Sequence, residues 1–211
     1  MLGAGLLAVG CADGANYPAG SKATSTAVAP IDTGVRGADW ANVEVPASVC
    51  GGEGSVTLKD GDAVVSSTRW PDAWEGNAPS SIPSQVRISQ EDPVAYGDVD
   101  GDGLDEAVVG IWCDNGGGTA GGQLGQSLVV FTGAAERPSV LGILDTTQPS
   151  PGRAPYFDSG ATRIAGGSIT ARELYFGPSA YARLTAQAET TWSWNGTALV
   201  RGDTRIIETP A

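Results

Sequence analysis

The feature that most constrains the fold is a group of carboxylates crowded into a glycine-rich turn. The segment "DVDGDGLDEAVV", residues 98–109, becomes apolar immediately after five acidic residues, which are Asp98, Asp100, Asp102, Asp105 and Glu106. Carboxylates a few ångströms apart repel one another appreciably even at a surface-like dielectric. A cation bound between them removes this repulsion, so the segment predicts a metal-binding loop that runs directly into a buried strand.

The spacing of the acidic residues suits calcium. With Asp98 in the first position of the loop, carboxylates fall at the third, fifth and ninth positions, and the backbone carbonyl of Leu104 falls at the seventh. Gly101 and Gly103 permit the tight backbone that turns these oxygens inward. An EF-hand does not fit, because Val109 stands where its last ligand belongs and a strand follows instead of a helix. A solvated acidic turn without a metal is the alternative.

The same segment resembles the calcium loop of FG-GAP and VCBS-type repeats, in which D-x-D-G-D-G-x-x-[DE] connects two strands. The resemblance is confined to this loop, and the sequence shows no internal repeat of the kind that builds a propeller. The resemblance therefore implies calcium binding by the loop but does not imply a propeller fold. The ligands that it implies for Ca²⁺ are Asp98, Asp100, Asp102, Leu104 through its carbonyl, and Glu106, with Asp105 pointing outward.

From Asp39 onward the sequence favours β-structure. Short apolar segments alternate with turn residues, and the 31 glycines suit a turn-rich sheet protein better than a helical bundle. The predicted fold is mostly β, a single antiparallel β-sheet domain with long loops over residues 39–211. A small α+β domain, with a helix within residues 178–188, is the alternative.

Two turns and one long loop follow from local sequence. Asp60-Gly61 and Asn195-Gly196 are residue pairs that favour tight hairpin turns, and the Asn-Gly pair is the stronger signal. The Pro- and Gly-containing stretch over residues 145–160 predicts a surface loop. The apolar segments between these features predict the strands.

The N-terminal segment "MLGAGLLAVGC" is an apolar run that ends at Cys11. It is too short to span a bilayer and suits the apolar part of an export signal. "LLAVGC" resembles the lipobox of bacterial lipoproteins, whose cysteine is lipidated and becomes the new N-terminus. The resemblance implies a signal segment over residues 1–10 and a flexible tether over residues 11–38. An ordinary apolar segment with an incidental cysteine is the alternative.

Two further cysteines, Cys50 and Cys113, form an even pair in a chain predicted to be exported. Such pairs form disulfides in oxidising compartments. The sequence therefore predicts a Cys50–Cys113 bond, which would place the segment before Cys50 beside the strand that ends at Cys113. Two separate buried thiols are the alternative.

The composition argues against several classes of function. A net charge of -12 and a pI near 4.2 disfavour nucleic acid as a partner. Histidine is absent and lysine occurs only as Lys22 and Lys59, which removes Ser-His-Asp catalysis and His-ligated zinc. The glycine-rich residues 116–121 precede an expected strand rather than a helix, so no nucleotide site is expected.

The lipobox-like segment is followed by a Thr- and Ala-rich stretch, a cysteine, the acidic loop, a second cysteine with "GGGT" after it, and a late "TWSWNG". This order of features resembles exported actinomycete lipoproteins of unassigned function, and the resemblance brings no activity with it. The sequence predicts a non-enzymatic module that binds an envelope protein or polysaccharide and is braced by calcium. A double acyl chain on Cys11 would anchor it to the outer face of the cytoplasmic membrane, with secretion as the alternative. The alternative function is a carboxylate-dependent hydrolase of envelope glycan, since such enzymes need no histidine.

Overall fold

A computed structural model describes residues 34–67, 82–88, 92–114, 123–147, 155–175 and 186–208. Within these ranges the chain forms strands and three short 3₁₀ helices, at Gly34–Gly37, Trp40–Asn42 and Ala47–Cys50. The prediction of a mostly β fold with antiparallel pairing is confirmed. The strands are β1 (Glu44–Pro46), β2 (Ser55–Thr57), β3 (Asp62–Ser67), β4 (Ile82–Ile88), β5 (Ala95–Gly97), β6 (Glu106–Asp114), β7 (Gln123–Ala134), β8 (Arg137–Leu144), β9 (Tyr156–Ala165), β10 (Ser168–Tyr175), β11 (Ala186–Trp194) and β12 (Leu199–Glu208).

The largest sheet, here called the central sheet, has the order β3-β4-β6-β7-β8. β5 also pairs with β6, on the same side as β4 but closer to the start of β6. Ile88 of β4 pairs with Ile111, and Gly97 of β5 pairs with Glu106, the first residue of β6. β4 and β5 therefore lie end to end along β6, and the acidic loop (residues 98–106) connects two paired strands.

Both faces of β6 are buried, which explains why its sequence is an unbroken apolar run instead of an alternating one. On one face, the first core packs the central sheet against the segment that contains β1, β2 and the 3₁₀ helices. On the other face, the second core packs it against a second sheet of order β12-β11-β10-β9. Val109 and Phe131 face the first core, whereas Val108, Phe157 and Trp192 face the second.

The predicted disulfide is confirmed. Cys50 ends the third 3₁₀ helix, Cys113 lies in β6, and their sulfur atoms are bonded within the first core. The bond therefore fastens the segment before β2 to the strand that follows the acidic loop.

The hairpin turn predicted at Asp60-Gly61 is present, with φ values of 53° and 91°. Its arms separate, however, because β2 pairs with β1 while β3 pairs with β4. A single bridge between Lys59 and Asp62 is the remaining pairing across the turn. Val56 in β2 packs against the first core, so burial directs this arm away from its neighbour in sequence.

The prediction of a loop over residues 145–160 is wrong from Tyr156 onward, because β9 begins there. Phe157 is 1% exposed in the second core and its backbone pairs with Glu173 of β10. Burial of this ring outweighs the turn-forming residues around it. Of the stretch that might have been helical, residues 186–188 lie in β11 and the others lie outside the described residues.

Residues 34–37, which the sequence assigned to the tether, are packed in the domain. The 3₁₀ helix Gly34–Gly37 carries Val35, which is fully buried in the first core. Cys11 and residues 116–121 lie outside the described residues. In the ranges that are described, no helix has the length and apolar character needed to cross a membrane.

Candidate metal centre

The acidic loop brings three carboxylates to one point. Ligand oxygens of Asp98, Asp100 and Glu106 all lie within 4.8 Å of one another. Oxygens that share one calcium ion at 2.3–2.6 Å stand at most about 5 Å apart, so this spacing fits a single ion. Two of the three residues are half-buried, and Glu106 is fully buried.

Backbone N–H groups of the loop hold the two aspartates in place. Asp98 accepts hydrogen bonds from the N–H of Gly101 at 2.6 Å and from the N–H of Gly103 at 3.1 Å. Asp100 accepts one from the N–H of Asp102 at 3.1 Å. Gly101 and Gly103 have φ values of 84° and 88°, a region that other L-residues disfavour. The glycines predicted from sequence to allow a tight loop therefore do so.

Glu106 is held at the base of the loop by three donors. One carboxylate oxygen accepts the N–H of Val99 at 2.7 Å and the N–H of Asp100 at 3.3 Å. The other accepts the hydroxyl of Thr132, in β7, at 3.0 Å. Burial raises the pKa of Glu106; these hydrogen bonds oppose the rise, and the nearby charge of Asp100 adds to it. A cation in the loop would offset the unfavourable burial of this charge.

The other predicted ligands lie differently. Asp102 is outside the group of three, and its carboxylate accepts the N–H of Leu104 at 2.8 Å. The coordination of an ion by Asp102 and by the Leu104 carbonyl stays a prediction. Asp105, expected to point outward, forms an ion pair with Arg36.

Arg36 is a neighbour of the loop that sequence reasoning missed. Its guanidinium pairs with Asp105 and stands over the ring of Tyr96, 4.9 Å from the ring centroid. The N–H of Val35 also donates to the Asp105 carbonyl at 3.4 Å. Val35 and Arg36 are thus held against the acidic loop. No sequence signal identified Arg36, because it is 69 residues from Asp105 and lies in the predicted tether.

Replacing Gly34 by alanine is expected to break the contacts that Val35 and Arg36 make with Asp105. Gly34 has a φ of 63°, and a Cβ atom there would overlap the backbone carbonyl of Asp105. Gly54→Ala is a matched control, because its φ is 72° but its Cβ would meet nothing within 4 Å. We expect G54A to cost about 1 kcal/mol for its backbone conformation alone and G34A to cost more than about 2 kcal/mol. Urea unfolding measures both, and equal losses would contradict the expectation.

Comparison of the chain with family models, with curated proteins and with solved structures finds no match. Three converging carboxylates, one of them buried, offer only oxygen ligands, and hard cations such as calcium prefer such ligands.

Proposed function

We propose that this chain is an exported, lipid-anchored binding module whose β domain is braced by calcium in the acidic loop. The observation that carries the proposal is Glu106, a fully buried carboxylate placed against Asp98 and Asp100. An isolated buried charge is costly unless it is paired or bound to a metal. Calcium supplies the positive charge that this group lacks.

An ion at this position would stabilise more than the loop. Glu106 is the first residue of β6 and is hydrogen-bonded to Thr132 of β7, so it belongs to the middle of the central sheet. Asp98 immediately follows β5. An ion that joins these carboxylates would connect β5, β6 and β7, and through Asp105 and Arg36 it would also stabilise the 3₁₀ helix Gly34–Gly37.

The chemistry of the chain supports binding rather than catalysis. Histidine is absent and only two lysines occur, so the common general bases near neutral pH are missing. The disulfide supports an extracytoplasmic location, since such bonds persist in oxidising compartments. The lipobox-like sequence before Cys11 supports attachment to the membrane, and the residues between Cys11 and the domain would act as a tether.

Calcium is expected to raise the stability of the domain. With a Kd of about 10⁻⁴ M and about 1 mM free calcium, binding adds on the order of 1.4 kcal/mol to the free energy of unfolding. Thermal unfolding with calcium and with chelator measures this gain, and isothermal calorimetry measures the binding heat. Asp98→Asn should remove most of the gain, whereas Asp203→Asn, an exposed acid in β12, should keep it. An unchanged melting temperature with no binding heat would refute the calcium brace.

A further inference from the structure

Three arginines gather on the outer face of the second sheet, on the opposite side from the second core. They are Arg163 in β9, Arg172 in β10 and Arg205 in β12, and they are called the arginine cluster below. All three approach a single carboxylate, that of Glu189 in β11. Because the whole chain has a net charge of -12, this concentration of cations departs from its average character.

Glu189 holds the arginine cluster together but does not balance its charge. Arg205 lies 2.7 Å from one carboxylate oxygen, while Arg163 and Arg172 lie 3.4 Å and 3.5 Å from the other. The hydrogen bond from Arg205 is the main reason that the pKa of Glu189 is lowered, so this group is ionised at neutral pH. Asp158, 3.9 Å from Arg172, adds one weaker acidic neighbour. Among the residues that the structure describes, three guanidinium groups thus face two carboxylates, which leaves an excess of positive charge.

The arginine cluster also has more hydrogen-bond donors than its described neighbours use. A guanidinium carries five N–H donors in a rigid planar fork. Within the described ranges of the chain, Arg163 and Arg205 each contact one oxygen atom of Glu189, and the Nε of Arg172 is buried without a partner. The side chains of Arg163 and Arg205 are 56% and 74% exposed, so their remaining donors can reach a ligand in solution.

We propose that the arginine cluster binds an oxyanion group, such as a phosphate, sulfate or carboxylate, carried by a component of the envelope. The planar guanidinium matches the geometry of these groups and binds them through paired, charge-assisted hydrogen bonds. A ligand would engage the exposed edges of Arg163 and Arg205, while Glu189 keeps the cluster assembled. This inference rests on the proposed binding function but uses none of the residues of the acidic loop.

The test compares two exposed arginines of the same strand. Arg205→Ala removes a member of the cluster, whereas Arg201→Ala removes the same charge from β12 outside it. Dextran sulfate, with uncharged dextran as its control, represents an anionic polymer. Vesicles of phosphatidylglycerol, with phosphatidylcholine vesicles as their control, represent a lipid headgroup. Binding is measured by calorimetry and by co-sedimentation at low ionic strength, where screening is weak.

The wild-type protein is expected to bind dextran sulfate or the anionic vesicles but neither control. R205A should lose about tenfold or more in affinity and R201A about twofold or less, because charge-assisted hydrogen bonds are lost only in the first. Binding to the polymer alone would identify a polymer as the source of the oxyanion, and binding to vesicles alone would identify the headgroup. Equal losses in both variants, or no binding of either probe, would overturn the proposal.

Calcium binding is measured on the same samples, so the two proposals can fail separately. Calcium heat without anion binding would reject the arginine cluster as a site and leave the calcium brace intact. Anion binding that depends on Arg205 without calcium heat would reject the brace and leave the arginine cluster as a site.

Discussion

Replacing Cys50 and Cys113 together by alanine is expected to lower the free energy of unfolding by about 4 kcal/mol. The bond joins residues 63 positions apart in the sequence, so it removes many conformations from the unfolded chain. Both residues are almost completely buried in the first core, and alanine buries no new polar group there, although it leaves a small space where each sulfur atom stood. The loss is therefore expected to come mainly from the cross-link.

Denaturant unfolding of the wild-type protein and of the double variant measures this loss. Cys11→Ala is the matched control, since it removes a cysteine that lies outside the bond, and it should leave the unfolding midpoint unchanged. The wild-type protein under reducing conditions should approach the stability of the double variant. A loss below about 1 kcal/mol would show that the cross-link contributes little to this fold.

The parts of the fold that sequence predicted well are those whose burial is uniform or strictly local. The apolar run from Ala107 to Ile111 predicted a buried strand, and β6 is buried on both faces. The pairing of β2 with β1 was not predictable in the same way. It depends on Val56 reaching the first core, which is a property of the assembled layers and not of the turn at Asp60-Gly61. Tertiary packing thus overrides a correct local turn.

In the candidate metal site, too, the local features were predictable from sequence and the long-range contacts were not. Asp98, Asp100 and Glu106 lie within nine consecutive residues, so a local pattern was enough to bring them together in the prediction. Arg36 joins the loop from far away in the chain, and no local pattern marks it. The arginine cluster is a stronger case, because its members come from different strands. Strand register places Arg172 and Arg205 opposite Glu189, and Arg163 reaches the same carboxylate from β9. The average charge of the chain even argued against an anion site.

Glu106→Gln is expected to weaken calcium binding on the order of a hundredfold, about 2.7 kcal/mol, because it removes a charged ligand from the site. The amide can keep the existing hydrogen bonds. Its oxygen can accept the N–H groups of Val99 and Asp100, and its NH₂ can donate to the hydroxyl of Thr132. The metal-free variant is therefore expected to be at least as stable as the metal-free wild-type protein at neutral pH.

The same residue gives the metal-free domain a defined pH dependence. Since burial raises the pKa of Glu106, the folded state holds a proton at this site more readily than the unfolded state. The stability that protonated Glu106 contributes is fully present below the unfolded carboxyl pKa, about 4.3. It is lost as the pH rises through the higher pKa of the folded state. In the presence of chelator, the difference in free energy of unfolding between wild type and E106Q should therefore shrink as the pH is lowered towards the unfolded carboxyl pKa. With calcium present, the wild-type protein should instead lose stability as the pH is lowered, because protons compete with the ion for the carboxylates.

Calorimetric titration with calcium, together with thermal unfolding across pH, measures these effects. Glu173→Gln is the matched control, because Glu173 is also fully buried and accepts hydrogen bonds from the N–H and the hydroxyl of Thr147, away from the acidic loop. E173Q should bind calcium with wild-type affinity. If E106Q kept that affinity, or if E173Q lost as much of it, Glu106 would not be a ligand. The buried carboxylate at the start of β6 would then have only a structural role, as the acceptor of hydrogen bonds from the loop and from β7.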